Sequence, residues 1–201
     1  MRIFYLIMII LAITSCTTSK TYKYDLLLEK PATSENLVYE SDTMQITFSF
    51  ITEGIGFTLF NNLPNDGIRI NWDELSMSTN GKAQRVVHKE TGVVKLNDLQ
   101  PPTTIPPKTM LEDVIIPREY LRVVYYAGNK MPVLANVYPT MDYGNKKTRE
   151  KILSKRGQRV TFYMPFYIRG QYVSNSFEFT IRDVVEVKKG SKAPRTAPKK
   201  K

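Results

Sequence analysis

Cysteine, histidine and tryptophan each occur once in these 201 residues, and that scarcity removes whole classes of chemistry. With Cys16 alone, no disulfide can form within the chain. Zinc sites draw on several His or Cys ligands, which do not exist here. A Ser or Cys nucleophile would have only His88 as its base; beside Arg85 and Lys89 at the end of an extended stretch, His88 reads as a polar strand-end residue. There is no Gly-x-Ser-x-Gly elbow and no phosphate-binding glycine loop, since Gly54-Ile-Gly56 lacks a third glycine and precedes a strand. Asp73 with Glu74, and Glu112 with Asp113, lack the loop spacing of a calcium motif and read as solvated strand-edge carboxylates. The expectation is a protein that is not an enzyme and has no cofactor or metal. Nor does any apolar run reach the ~20 residues that span a bilayer.

What the chain does have is concentrated first at its ends. Arg2 precedes an apolar run from Ile3 to Ile13, the length of a signal-peptide core. The run closes as Leu11-Ala12-Ile13-Thr14-Ser15-Cys16, which resembles the lipobox of bacterial lipoproteins. That resemblance implies cleavage before Cys16 and acylation of its new N-terminus, palmitate included, so that the protein stays on a membrane through two or more chains. Thr17 stands where an aspartate would mark inner-membrane retention. The implied location is therefore the outer membrane, facing the periplasm. At the other end, residues 188–201 carry Lys188, Lys189, Lys192, Arg195, Lys199, Lys200 and Lys201, with no acid and no large apolar side chain. Such a segment cannot bury enough surface to offset its ordering entropy, so a disordered tail is expected. Its seven cations account for most of the net charge of +10; without them and Arg2 the remainder is near +2. The basic composition thus belongs to a tail on an exported protein and does not point to nucleic acid. Contact of those seven residues with anionic lipid or peptidoglycan is the expectation, seconded by the basic run Lys146–Arg156.

Between the ends the pattern is period-2 alternation. Met44, Ile46, Phe48 and Phe50 alternate with polar residues, and Ile55–Phe60 supplies a partner strand through Glu53-Gly54. Tyr24–Glu29 and Leu37–Glu40 are earlier extended candidates. Ile68, Ile70 and Trp72 share one face, and Asn80-Gly81 supplies a tight turn to Gln84–His88, so a hairpin over 68–88 with Trp72 at its centre is predicted. Prolines make Gln100–Lys108 a stiff connector between sheets. Met110–Ile116 and Tyr120–Tyr126 follow as strands, and Lys146–Ser154 is the one helical candidate. A last large hairpin joins Gln158–Ile168 to Tyr172–Val187 through Arg169-Gly170-Gln171, with Phe162 and Phe166 on one face and Tyr163 and Tyr167 on the other. One of those aromatic sets must face outward. One-sided strands bury their apolar faces against a second sheet, so the predicted class is all-β: an immunoglobulin-like antiparallel β-sandwich, with a small β-barrel as the alternative. The organisation reads as a signal peptide (1–15), a lipidated tether (16–22), a β-sandwich domain (23–187) and the basic tail (188–201).

Phe57-Thr-Leu-Phe-Asn61, Ile70-Asn-Trp72-Asp73, Asn80-Gly81, Arg85-Val-Val-His88, the proline run Gln100–Pro107 and Glu112-Asp-Val-Ile-Ile-Pro117 together resemble a pattern in uncharacterised bacterial lipoproteins with a β-sandwich domain. The resemblance covers residues 55–117 and implies a fold and a compartment but no activity. The resulting functional expectation is a lipid-anchored envelope protein that presents an interaction surface to an envelope protein partner, as an accessory or assembly factor. A glycan- or lipid-binding module is the alternative.

Overall fold

The computed structural model describes residues 18–89, 99–126 and 129–187. In chain order the first strands are β1 (Thr21–Lys30), β2 (Val38–Glu40), β3 (Met44–Ile51), β4 (Gly54–Asn61), β5 (Ile68–Ile70), β6 (Ser76–Thr79), β7 (Lys82–His88) and β8 (Thr103–Ile105). They are followed by β9 (Met110–Pro117), β10 (Leu121–Tyr126), β11 (Asn129–Leu134), helix α1 (Lys146–Leu153), β12 (Arg159–Tyr163), β13 (Phe166–Ile168), β14 (Gln171–Val173) and β15 (Ser176–Val187). The fold is all-β with antiparallel sheets, packed between a sandwich and a nearly closed barrel.

The large sheet runs β1-β15-β12-β6-β7-β9-β4-β3-β2 and folds over on itself. β7 is the corner: Lys82–Arg85 pairs with β6, while Val86, Val87 and His88 pair with β9. The two leaves then meet through their inward rows. Phe48 of β3 packs on Phe177 and Phe179 of β15 with ring centroids 4.8 and 5.1 Å apart, and edge-on to Phe162 of β12. Alternation in β3 is what makes this work, because Met44, Ile46 and Phe48 are buried while Gln45, Thr47 and Ser49 are exposed. A second sheet, β14-β13-β5-β8, closes one side of the core with Ile68, Ile70, Ile105 and Phe166. The β10–β11 hairpin stands apart, and Leu121 joins Val87 and Ile116 in a small second core.

Two expectations need correction. The strand carrying Ile68 and Ile70 does not run on through Trp72: Trp72–Glu74 is a 3-10 turn that takes the chain from the four-stranded sheet into β6. The Asn80-Gly81 hairpin is therefore built from β6 and β7 alone, with Trp72 outside it but fully in the core. The proline connector carries a short edge strand, Thr103–Ile105, which pairs with β5. It sits at a sheet edge, where bonding on one side suffices and flanking prolines leave no ladder donor missing. The tether boundary also moves, because β1 starts at Thr21 and Tyr22 is already core.

The last hairpin is continuous in sequence but not in sheet. It breaks at Met164-Pro165 and at Ser174-Asn175, so its base, β12 and β15, belongs to the large sheet and its tip, β13 and β14, to the small one. The antiparallel base of that hairpin holds, with Val160 and Phe162 opposite Phe179 and Phe177. So does the helix, which Asn145 caps by accepting from the Thr148 amide at 3.2 Å.

Candidate functional site

Two polar constellations stand out, one inside the core and one on its surface. The interior one is built on strand parity. His88 shares its inward face with Val86, and Asp113 shares its face with Leu111 and Ile115, so pairing of β7 with β9 brings both into the core. His88 Nδ1 lies 2.9 Å from Asp113 Oδ2, with side chains only 6% and 2% exposed. The imidazole stacks flat on Trp72, centroids 4.1 Å apart and planes 11° from parallel. Asp113 Oδ1 also accepts from the Lys89 and Val114 amides, and the His88 amide donates to Gln100 Oε1. Gln100 in turn donates from its own amide to Asp73. His88 Nε2 is buried and has no hydrogen-bond partner among the described residues. His88 does end its strand, as expected, but its side chain is buried against Asp113, and the reading of Asp113 and Asp73 as solvated carboxylates is corrected, since both are engaged in this network. A histidine and an aspartate in contact suggest acid–base chemistry, but this pair is walled by Trp72 and by Phe57, the register partner of Asp113. Its visible work is to hold β7, β9, the 3-10 turn and Gln100 together.

The surface constellation is tyrosine-rich. Tyr172, Tyr167, Arg69 and Thr104 are successive register partners across β14, β13, β5 and β8, and they form one outward row. Tyr167 donates to both carboxylate oxygens of Glu74, at 2.9 and 3.0 Å, and Asn71 donates to the same carboxylate at 2.7 Å. That carboxylate is what raises the Tyr167 hydroxyl above its ordinary value. Tyr172 packs edge-on against the Tyr167 ring at 5.5 Å, and its hydroxyl makes a short hydrogen bond with that of Tyr163. Ser174 donates to the Tyr163 oxygen as well. Within this pair the Tyr163 hydroxyl is pulled down, by Ser174 first and Tyr172 second, and Tyr172 is pushed up to about 12 by its bond to Tyr163. Tyr172 remains 52% exposed and Val173 37%. Of the two aromatic sets in the last hairpin, Phe162 and Phe166 are the buried one and the tyrosines face out. Tyr163 and Tyr167 were legible from alternation; Tyr172, Glu74 and Arg69 join them only through pairing across strands distant in sequence.

Among the described residues no group of three or more His, Cys, Asp or Glu side chains could hold a metal ion, and no helix is long and apolar enough to cross a membrane. Cys16 and the seven tail cations Lys188, Lys189, Lys192, Arg195, Lys199, Lys200 and Lys201 lie outside the described residues. Neither a protein-family model nor a curated protein matches this chain.

Proposed function

We propose that this protein is a non-enzymatic, lipid-anchored component of the bacterial envelope, which displays its tyrosine-rich face to a protein partner as an accessory or assembly factor. The observation that carries the reading is the direction of β15. Its last residue, Val187, pairs with Thr21, five positions beyond Cys16. Its first, Ser176, pairs with Tyr163 of the tyrosine cluster. At about 3.3 Å per residue, the strand separates the two by roughly 35 Å. A lipid on Cys16 would therefore hold one end of β15 at the membrane and leave the tyrosines at the far end. Exposed tyrosine with an adjacent arginine is also the composition in which protein interfaces are enriched. The same register sets Val187, after which the basic run begins in sequence, beside Thr21, which supports contact of that run with an anionic surface at the anchored end.

The test is affinity capture of the protein from detergent-solubilised envelopes, comparing the native chain with a Tyr163→Ala/Tyr172→Ala variant. Mass spectrometry reads both the co-purifying proteins and the N-terminal modification. The reading expects an acylated Cys16 and a stoichiometric partner that the double variant loses. An unmodified N-terminus would sink the anchor, and a partner retained by the variant would sink the tyrosine face. A glycan-binding reading rests on the same exposed rings, and recovery of wall fragments alone would favour it.

A further inference from the structure

We infer that the turn at Tyr143 and the first turn of helix α1 form a docking surface for an anionic phospholipid membrane, which sets the orientation of the anchored domain. The inference rests on the anchored reading above and assigns a role to residues outside the tyrosine face.

The surface is fixed to the root of the tether by Asp142. This buried carboxylate accepts from the Lys20 amide at 2.8 Å, the Gly144 amide at 2.9 Å, Arg149 Nε at 2.8 Å and Tyr22 Oη at 3.3 Å. The Asp142 amide donates back to the Lys20 carbonyl at 3.1 Å. Lys20 is four residues from Cys16, a reach of at most ~14 Å even fully extended. Whatever Asp142 positions is therefore held close to the lipid.

Two features of this turn work against folding. Tyr143 adopts φ +50°, in the left-handed region that a bulky side chain avoids, and its ring is nevertheless 71% exposed. Strain spent on an exposed aromatic side chain points to a role outside the fold. Tyrosine rings, apolar in body and polar at the tip, settle at the membrane interface. Helix α1 then opens with Lys146 and Lys147 and has no acid in its first turn, the reverse of what the helix dipole favours. The Lys146 side chain is 90% exposed, and its contact with Glu150 is a loose 3.9 Å with the lysine on the weaker, N-terminal side. Two lysines at the positive end of a helix suit the phosphates of an anionic lipid layer. The other cations of the run are occupied: Arg149 by Asp142, Lys151 by the Asn136 carbonyl and the Tyr120 ring, Arg156 by Asp183, and Lys155 buried over the Tyr138 ring.

The core extends from Tyr22 to Val184, so a chain of residues 16–201 contains all of it. That chain, carrying Cys16→Ser so that no acyl group contributes, is sedimented with phosphatidylglycerol-containing vesicles and with pure phosphatidylcholine vesicles. Binding is expected only to the first. Lys146→Gln and Lys147→Gln should each weaken it about fivefold, the value of one basic residue near an anionic surface. Tyr143→Gly should weaken it too while leaving the thermal midpoint unchanged or higher, because glycine relieves the left-handed strain. A further chain lacking residues 188–201 should retain the sensitivity to both lysines. Equal binding to phosphatidylcholine, indifference to the three substitutions, loss of all binding with the tail, or binding to peptidoglycan sacculi in place of vesicles would each overturn the inference. Absence of acylation in the capture experiment would refute the anchor, whereas this assay contains no acylated protein and tests the surface alone.

Discussion

Replacing Asp113 with alanine should cost about 3–5 kcal/mol of folding stability, because it breaks a buried pair by removing one partner. The magnitude can be built from the atoms involved. The change strips the buried His88 Nδ1 of its partner while Nε2 has none among the described residues, and it also frees the Lys89 and Val114 amides. Each unsatisfied buried group costs about 1–3 kcal/mol, and the partly exposed amides fall at the low end of that range. Such a loss is a large fraction of the 5–15 kcal/mol typical of a domain. Replacing both partners at once, His88→Phe with Asp113→Leu, removes the orphaned imidazole and keeps a flat ring against Trp72, so most of the loss should be recovered. The chain carries its own probe. Trp72 is the one tryptophan and is buried, so urea unfolding can be followed by its fluorescence. A single-variant loss below about 1 kcal/mol, or a double variant whose loss is the sum of the singles, would refute the network as described.

Asp142 gives a pH signature. Its carboxyl is held well below the ordinary carboxylate range, first by the Lys20 amide and then by the Gly144 amide and Arg149, against the cost of burial. A depressed folded value contributes stability above the unfolded value near 4 and loses it as pH falls toward the folded one. Asp142→Asn should therefore lower the thermal midpoint at neutral pH and flatten its fall between about pH 4 and pH 2; parallel curves would count against it. Gly54 tests the β4–β9 contact: a Cβ there would lie 2.1 Å from the Ile115 carbonyl oxygen, whereas at Gly56 it would meet only the movable Ser49 hydroxyl at 2.6 Å. Gly54→Ala should thus cost well over the 1–3 kcal/mol typical of overpacking and Gly56→Ala about 1 kcal/mol, as read from urea midpoints; equal losses would be the wrong outcome.

Elements whose period is local were readable from the chain itself. Met44–Ile51, the Asn80-Gly81 turn and helix α1 needed nothing beyond alternation, turn chemistry and a cap. Where the chain changes sheets, alternation alone misled. Ile68, Ile70 and Trp72 keep parity across Asn71, yet the backbone turns there, and the turn formers Asn71 and Asp73 were the available signal. The last hairpin changes sheet at Pro165 and Asn175 for the same reason. His88 and Asp113 were misread because residue type outweighed position: both lie in phase with apolar neighbours, which places a polar side chain inside whatever its nature. The tyrosine face could be read only in part, since Tyr167 meets Glu74 across ninety-three positions of sequence. The left-handed Tyr143 left no trace in the pattern, because a lone backbone outlier has no period.

The pairing of β1 with β15 also decides how the domain would bear load. A tether pulling at Thr21 and a partner held near Ser176 would draw along the strand axis from opposite ends of the same ladder. Its hydrogen bonds, which lie across that axis, would then be sheared together and not peeled one after another. The same ladder pulled apart at Thr21 and Val187 would open from its end like a zipper. The ladder therefore resists tension between Thr21 and Ser176 and yields when Thr21 and Val187 are drawn apart.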